Sequence, residues 1–245
     1  MSKTPLLIIP LIITLVIVGF IIVNLTNTNK MKIYNETKGI WYQSIQKAIN
    51  EASQGDKLRI SPGIYYENIV VNKSITLYGS KRDEVIIEPS SKSVIIFNVI
   101  SYNVTIRSLT VRNAHFGIYL FYSNNNKIVD IKSINCKLGV FVRNSNRTLI
   151  RDCVIVNATV AGIEIYHSSG NMLINNTITG TISDYGGIFL ATSDTNEIKE
   201  NSVLNNSCGM WIQFSSNNSI YNNYFINNDK QIVLINSINK CCLLY

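Results

Sequence analysis

Between residues 117 and 234 the hydrophobic positions fall in short alternating runs that return about every 22 residues. Each run begins with a small or polar residue. Two hydrophobic residues follow it, separated by one residue of variable type. Such alternation is typical of strands and not of helices. The runs begin 22, 23, 25, 22 and 22 residues apart, at Gly117, Gly139, Gly162, Gly187, Gly209 and Gln231.

Two further rows of mostly asparagine keep this register. The first row is Asn126, Thr148, Asn171, Asn196 and Asn218. The second row is Asn113, Asn135, Asn157, Gly180, Asn205 and Asn227. One unit cannot bury its apolar face, but stacked units can, with strands of successive coils paired in parallel. Stacked asparagines can bond from coil to coil, and asparagine also tolerates left-handed turns. The rows therefore predict a parallel β-helix in which asparagine has a structural role.

The N-terminal region has a different pattern. Residues 6–23 are an uncharged run of 18 residues, interrupted by Pro10 and Thr14. At 1.5 Å per residue this run spans roughly 27 Å, enough for a bilayer core. A cleaved signal peptide is the alternative, but the residues from Asn24 onwards do not resemble its cleavage site. We predict a short N-terminal region at 1–5, a transmembrane signal anchor at 6–24 and an extracellular or periplasmic domain. The nine N-x-S/T sequons agree with export.

Composition narrows the function classes. Hydrophobic residues make up 46% of the chain and charged residues 15%, which excludes a disordered tail. The net charge of +7 is spread thinly, with no basic cluster longer than Lys81-Arg82, so we expect no nucleic-acid partner. None of the five cysteines forms a C-x-x-C motif, which excludes the usual zinc and redox spacings.

Residues 41–54 predict an amphipathic helix. Ile45, Ala48, Ile49 and Ala52 fall on one face, and Gly55 occupies a C-terminal cap position. Such a helix would cover the open end of a β-helix, whose unpaired strand edges otherwise invite aggregation.

The segment that follows carries a family resemblance. It contains Gly63-x-Tyr65-x-Glu67 and the run Lys73-Ser74-Ile75-Thr76-Leu77-Tyr78-Gly79. Residues 44–79 resemble the opening of right-handed β-helix proteins of the pectin-lyase-like superfamily, in which a helix caps the first coil. The later repeats resemble those of the NosD family and of related carbohydrate-binding and sugar-hydrolase domains. The fold hosts many chemistries, so the resemblance implies the fold more than the function.

We therefore predict an all-β chain that forms a right-handed parallel β-helix of roughly eight coils. A linker and first strand at 25–40 precede the β-helix at 41–240. Within it we expect the capping α-helix at 41–54, opening coils at 55–112 and NosD-like repeats at 113–240.

Catalytic motifs of the resembling enzymes are absent. The resemblance to pectin esterases ends with the G-x-Y-x-E motif, and the Asp-Asp pair of polygalacturonases is missing. Coil stacking could still bring Glu164 near Arg143 and His167, which makes these three the candidates for acid–base chemistry. The alternative is that Glu164 is a solvated outward residue. A polysaccharide lyase, hydrolase or epimerase is thus the second functional hypothesis.

The outward positions beside the inward rows are rich in aromatic residues. We expect this face to meet water, and an exposed row of rings usually marks a binding surface. A loop or protein partner that covers the rings, or simple strand propensity, would explain them equally well. We name six candidate substrate-binding residues the aromatic stripe: Tyr119, Phe121, Phe141, Tyr166, Phe189 and Trp211.

The NosD resemblance also implies a copper accessory role, the third hypothesis. Copper(I) prefers Cys and Met, and copper(II) prefers imidazole. His115 and His167 are more than two coils apart, so we predict neither a metal site nor a cofactor. The leading hypothesis is a membrane-anchored cell-surface protein that binds polysaccharide or glycan without catalysis. A protein partner on the aromatic face is the alternative.

Overall fold

The computed structural model describes residues 32–91 and 95–242. These residues form 25 strands and one helix, arranged as a parallel β-helix with one strand of an eight-stranded sheet in each coil. The predicted fold class, an all-β solenoid of about eight coils, is confirmed. The predicted anchor at 6–24 lies outside the described residues, among which no helix has the length and apolarity to cross a bilayer.

The coils present three faces. Face 1 is the eight-stranded parallel sheet. Its strands are β5 (Ile69–Val71), β8 (Ile95–Val99), β10 (Phe116–Phe121), β12 (Leu138–Arg143), β15 (Ala161–Tyr166), β18 (Ile188–Ala191), β21 (Cys208–Gln213) and β24 (Lys230–Ile235).

Faces 2 and 3 form one continuous sheet because two long strands, β9 (Thr105–Arg112) and β11 (Lys127–Ile134), contribute to both. The other strands of face 2 are β3 (Lys57–Ile60), β6 (Thr76–Gly79), β13 (Leu149–Arg151), β16 (Met172–Ile174), β19 (Glu197–Lys199), β22 (Ser219–Tyr221) and β25 (Lys240–Cys242). Those of face 3 are β4 (Gly63–Tyr66), β7 (Val85–Glu88), β14 (Val154–Val156), β17 (Thr177–Thr179), β20 (Ser202–Leu204) and β23 (Tyr224–Ile226).

The first residues depart from the coil pattern. Strand β1 (Ile33–Asn35) pairs antiparallel with both β2 (Ile40–Tyr42) and β3. Helix α1 spans Ile45–Glu51, so the predicted helix at 41–54 is too long at both ends. The antiparallel pairing holds residues 40–42 in a strand, and extended backbone at Ala52 ends the helix three residues before Gly55.

The start of α1 is fixed by two side chains. Ser44 accepts a hydrogen bond from the Lys47 N–H at 3.2 Å, as expected of an N-cap residue. Glu67, the last residue of the G-x-Y-x-E motif, accepts the N–H groups of Ile45 and Gln46 at 2.9 Å each. The motif therefore ties the first turn of the helix to the coil beneath it.

The predicted inward stacks on face 1 are confirmed by the strand register. One stack contains Ile118, Val140, Ile163, Ile188, Met210 and Ile232. Its first five members have no exposed surface. In β24 the burial is incomplete, and Leu234 is 48% exposed, because this strand pairs with a neighbour on one side only.

The first asparagine row forms a buried ladder, as predicted. Asn196 is typical: its Oδ1 accepts the main-chain N–H and the Nδ2 group of Asn171, at 2.9 and 3.0 Å. Its own Nδ2 donates to Asn218 Oδ1 at 3.0 Å and to the Ser168 carbonyl at 3.3 Å. Each amide thus satisfies buried main-chain groups that water cannot reach.

Three further ladders were not predicted. Asn176, Asn201 and Asn223 bond in the same manner at the turn between faces 2 and 3. Asn206 and Asn228 do so at the turn between faces 3 and 1. A serine ladder, in which each main-chain N–H donates to the next hydroxyl oxygen, runs through Ser123, Ser145, Ser168, Ser193, Ser215 and Ser237.

The second asparagine row provides left-handed turns, the other role predicted for asparagine. Its members are turn residues with φ between 53° and 75°, as at Asn135 and Gly180. Asparagine and glycine tolerate this left-handed conformation better than other residues do. The two rows predicted together therefore serve different purposes: one is a buried ladder and the other a series of exposed corners.

The glycine that opens each repeat is required by close approach between coils. A Cβ on Gly117, Gly139 or Gly162 would lie 2.6 Å from the carbonyl oxygen of the next glycine in the row. On Gly209 it would lie 2.4 Å from the Gln231 carbonyl oxygen. Main-chain atoms cannot easily move away, so the row excludes larger side chains.

Replacing one ladder amide should destabilise the fold. Asn196→Ala leaves the main-chain N–H and Nδ2 of Asn171 and the Ser168 carbonyl without partners, so we expect the free energy of unfolding to fall by about 2 kcal/mol or more. Urea denaturation followed by circular dichroism measures this change. Asn50→Ala, on the exposed surface of α1, is the control and should change stability by less than about 0.5 kcal/mol. Equal effects of the two substitutions would contradict the ladder's role.

Candidate functional site

The predicted site residues share the outward side of face 1. Tyr119, Phe141, Glu164, Phe189 and Trp211 stand in register on five successive strands. The neighbouring outward row, also in register, holds Phe121, Arg143, Tyr166, Ala191 and Gln213. The structure therefore brings the aromatic stripe together on one surface, with rings repeated at the spacing of the coils.

The rings at the N-terminal end of the stripe stack on one another. The Tyr119 ring lies 5.1 Å from Phe141 and 5.5 Å from Phe121, with interplanar angles of 17° and 26°. Phe116 extends this stack, 5.4 Å from Tyr119 and 5.8 Å from Phe141. Such offset stacks hold the rings in fixed orientations.

Phe116 is a member of the site that the sequence reasoning missed. Strict alternation places it inward, with Ile118 and Leu120. In the structure Gly117 and Ile118 both face the core: a Cβ on Gly117 would lie 2.9 Å from Val111 Cγ2. The alternation is interrupted at this glycine, so Phe116 joins the outer cluster instead. Its position directly before the repeat glycine is the signal that could have identified it.

The expectation that these rings meet water is wrong for two of them. Phe141 is only 8% exposed because Phe116 and Tyr119 pack against it. Phe189 is 5% exposed, and Tyr185 stacks on it at 4.7 Å. Tyr185 belongs to the one 25-residue repeat, so the longer loop covers part of the stripe. Tyr119, Phe121, Tyr166 and Trp211 remain half-buried and present ring surface to solvent.

Two cationic side chains contact the half-buried rings. The Arg143 guanidinium lies between two of them, 5.9 Å from the Phe121 centroid and 5.5 Å from the Tyr166 centroid. Lys230 Nζ lies 5.9 Å from the Trp211 centroid and 3.1 Å from an oxygen of Asp184. Cation–π contacts of this kind keep the charged groups on the stripe.

Glu164 lies in the middle of the stripe, in register between Phe141 and Phe189. It is half-buried, and burial raises the pKa of its carboxyl group to about 7, although the Arg143 charge partly opposes this. Glu164 is therefore not the fully solvated residue of the alternative interpretation. Near neutral pH a large share of the population carries a protonated carboxyl group that can donate a hydrogen bond.

The three candidate catalytic residues are only partly brought together. Arg143 is close enough to influence the ionisation of Glu164, but in the described part of the chain no ion pair or hydrogen bond joins them. His167 is exposed at the turn after β15, and its ring packs edge-on against Tyr166 at 4.2 Å. Their geometry does not form a connected acid–base pair.

The described residues do not fit a copper centre. No group of three or more His, Cys, Asp or Glu side chains converges in residues 32–91 and 95–240, the part of the chain whose side chains the structure describes. Cys136, Cys153 and Cys208 are buried free thiols. Burial raises the pKa of each, to about 12 for Cys153, which disfavours the thiolate form that binds metal.

Solved structures share the fold. Pectate lyase Pel9A matches with a TM-score of 0.58 at 14% identity, over 81% of this chain and 65% of that chain. The catalytic domain of a GH87 α-1,3-glucanase in complex with nigerose matches with a TM-score of 0.54 at 16% identity, over 80% of this chain and 43% of that chain. At such low identity these similarities show the parallel β-helix fold alone.

Sequence relationships go further. A protein of Methanothermus fervidus, named cell surface glycoprotein, is 31% identical over an alignment of 249 positions, gaps included. The match covers 76% of this chain but only 42% of the relative, so the chain spans less than half of that protein's length. The model of the family described as periplasmic copper-binding protein (NosD) matches residues 49–240, most of the chain. The chain therefore belongs to the NosD family.

Proposed function

We propose that this chain is a cell-surface β-helix protein that binds polysaccharide or glycan along the aromatic stripe, without catalysis. The observation that carries the proposal is the set of half-buried rings that present surface to solvent on face 1, which are Tyr119, Phe121, Tyr166 and Trp211. Sugar rings bind well to flat aromatic faces because their C–H surfaces are apolar and their hydroxyl groups remain free for hydrogen bonds. Rings already fixed by their neighbours lose little conformational entropy when a ligand binds.

The long axis of the stripe suits an extended ligand. Equivalent residues on successive coils are about 4.8 Å apart, so the stripe from Tyr119 to Trp211 extends over roughly 19 Å. Arg143 and Lys230 are placed to donate hydrogen bonds to hydroxyl or acidic groups of the ligand. A protein partner on the same rings remains the alternative, and the Tyr185 loop already shows that protein can cover them.

The proposed location draws on independent observations. The M. fervidus relative is named a cell surface glycoprotein, and the description of the NosD family is periplasmic. The apolar run at residues 6–23 supports a membrane anchor. We place the β-helix on the outer side of the membrane.

We also propose that α1 caps the N-terminal end of the β-helix. Ile45, Ala48 and Ile49 are fully buried, and the helix contacts β1, β2, β3 and β5. These contacts support a capping role, in which the helix protects the strand edges of the first coil from pairing with other chains.

A polysaccharide lyase, hydrolase or epimerase is the second candidate, favoured by the raised pKa of Glu164. In enzymes, apolar surroundings often raise the pKa of a carboxyl group that acts as a general acid in this way. Hydrolysis, however, normally requires two carboxyl groups. Among the described outward residues from Tyr119 to Gln213, in the two rows of face 1, Glu164 is the sole carboxylate. This single acid is why we rank binding above catalysis. A copper accessory role ranks third because the described residues do not fit the metal.

Removal of the Trp211 ring should weaken glycan binding. For a polysaccharide that binds the protein, we expect Trp211→Ala to raise Kd about tenfold, equivalent to about 1.4 kcal/mol, because a ring at the end of the stripe is lost. Isothermal titration calorimetry measures this change. The other tryptophan, Trp41, provides a matched control, since it is 39% exposed on β2 and away from face 1. An unchanged Kd for Trp211→Ala, or an equal loss for Trp41→Ala, would count against the proposal.

The ionisation of Glu164 should appear as a pH dependence of stability. Because the folded pKa is about 7 and the ordinary value is 4.5, stability should decrease as pH rises between these values. Glu164→Gln cannot ionise, so it should be more stable than the wild type at pH 8 by about 1–3 kcal/mol. At pH 4 the difference should be close to zero. Denaturant titrations at both pH values test this, and a pH-independent difference would contradict the assignment.

A further inference from the structure

We propose that the chain is N-glycosylated at its exposed sequon asparagines, and that the buried sequon at Asn35 stays unmodified. The exposed sequon asparagines are Asn72, Asn103, Asn146, Asn157, Asn175, Asn205 and Asn217. The ninth sequon, at Asn24, lies outside the described residues. The inference requires export of the domain, and so rests on the surface location proposed above.

Asn35 shows why a sequon alone does not make a site. The residue has no exposed surface. Its Nδ2 donates to Asp56 Oδ2 at 2.7 Å, and its Oδ1 accepts the N–H groups of Thr37 and Lys38 at 3.0 and 3.1 Å. A glycan on Nδ2 would have no room and would break the contact with the buried carboxylate of Asp56. Folded protein should therefore carry none at this position.

The exposed sequons lie where a glycan can extend freely. Five of the asparagines, Asn103, Asn157, Asn175, Asn205 and Asn217, occupy left-handed turn positions with φ between 52° and 59°. At these corners the side chain is exposed. Asn157 Nδ2 donates to Asn135 Oδ1 at 3.3 Å and Asn175 Nδ2 donates to Asp152 Oδ1 at 2.8 Å, but both bonds lie on the exposed surface, where water can replace them. All seven exposed sequon asparagines lie outside the face 1 strands, so their glycans would leave the aromatic stripe open.

The sites are also well separated. Asn157 and Asn205 belong to the same row of corners, but the coil between them has Gly180 at this position. The two attachment points are thus two coils apart, roughly 10 Å. Asn103 and Asn217 stand at opposite ends of another row. No two sequon asparagines of either row therefore lie on adjacent coils.

The repeat itself provides a competing explanation and its controls. Turn asparagines next to ladder asparagines generate N-N sequences, and some would acquire Ser or Thr at the third position by chance. Equivalent turn asparagines without that hydroxyl are Asn113, Asn125, Asn135, Asn222 and Asn227, all exposed with positive φ. They match the sequon asparagines in geometry and differ in the recognition residue alone.

The modification is a group transfer without redox change. The co-reactant is a glycan carried on a lipid phosphate and delivered by a transferase at the outer side of the membrane. Nδ2 of asparagine attacks the anomeric carbon, and an N–C bond forms as the bond from that carbon to the phosphate oxygen breaks. Nδ2 loses one proton, and the lipid phosphate leaves with the bonding electrons.

The test is site occupancy in the full chain, purified from its native organism and measured by peptide mass spectrometry. A resident glycosylated surface protein from the same preparation verifies that the transferase is active. We expect glycan mass on exposed sequon asparagines, and none on Asn35 or on the five control asparagines. Cell fractionation of the same material determines whether the protein is exported.

Two variants make the prediction specific. Thr177→Val should remove the glycan at Asn175 without disturbing the fold, because Val154 occupies the equivalent position in the previous coil. Asp229→Ser should add one glycan at Asn227, because Ser207 occupies the equivalent position beside Asn205. An exported protein with bare exposed sequons, or a glycan on Asn35 or on a control asparagine, would overturn the inference. Retention of the protein in the cytoplasm would overturn the proposed location as well.

Discussion

Parallel stacking of one coil on the next is the constraint on which the rest of this structure depends. Each turn buries main-chain N–H and carbonyl groups that water cannot reach, and the adjacent coil must satisfy them. Asparagine does this with one side chain, as Asn196 shows by accepting from Asn171 and donating to Asn218. Because these bonds join equivalent positions, they hold the register, and every other side chain stacks on its own equivalent. The glycine row follows from the same stacking, since the coils approach too closely there for a Cβ.

The parts of the fold that could be predicted are those that this register repeats. The step of about 22 residues, the inward stack through Ile118 and Val140, and the ladder through Asn196 all appear as rows in the sequence. The ladder through Asn176 and Asn201 was missed because Cys153 occupies the equivalent position in the previous coil, so the asparagine row is short in the sequence. The extent of α1 was overestimated because the antiparallel pairing of β2 with β1 is not visible in a helical pattern.

The candidate site was predictable as a set of residues but not as a surface. Register alone placed Tyr119, Phe141 and Trp211 on one face. Their burial depends on contacts that no repeat encodes: the outward turn of Phe116 at the glycine, and the Tyr185 loop of the longest repeat. Burial also raises the pKa of the Glu164 carboxyl group, in the middle of the stripe, to about 7. Irregularities in the repeat therefore give this face its individual chemistry, whereas the regular positions build the scaffold.

The central claim is that face 1 binds a glycan and leaves it intact. The most direct measurement is a panel of polysaccharides presented to the protein, with the chain length and composition of every bound polysaccharide analysed after incubation. We predict binding to at least one polysaccharide, which is then recovered unchanged. Shortened, unsaturated or epimerised products would show that the site is catalytic, and no binding to any polysaccharide would contradict the proposed function.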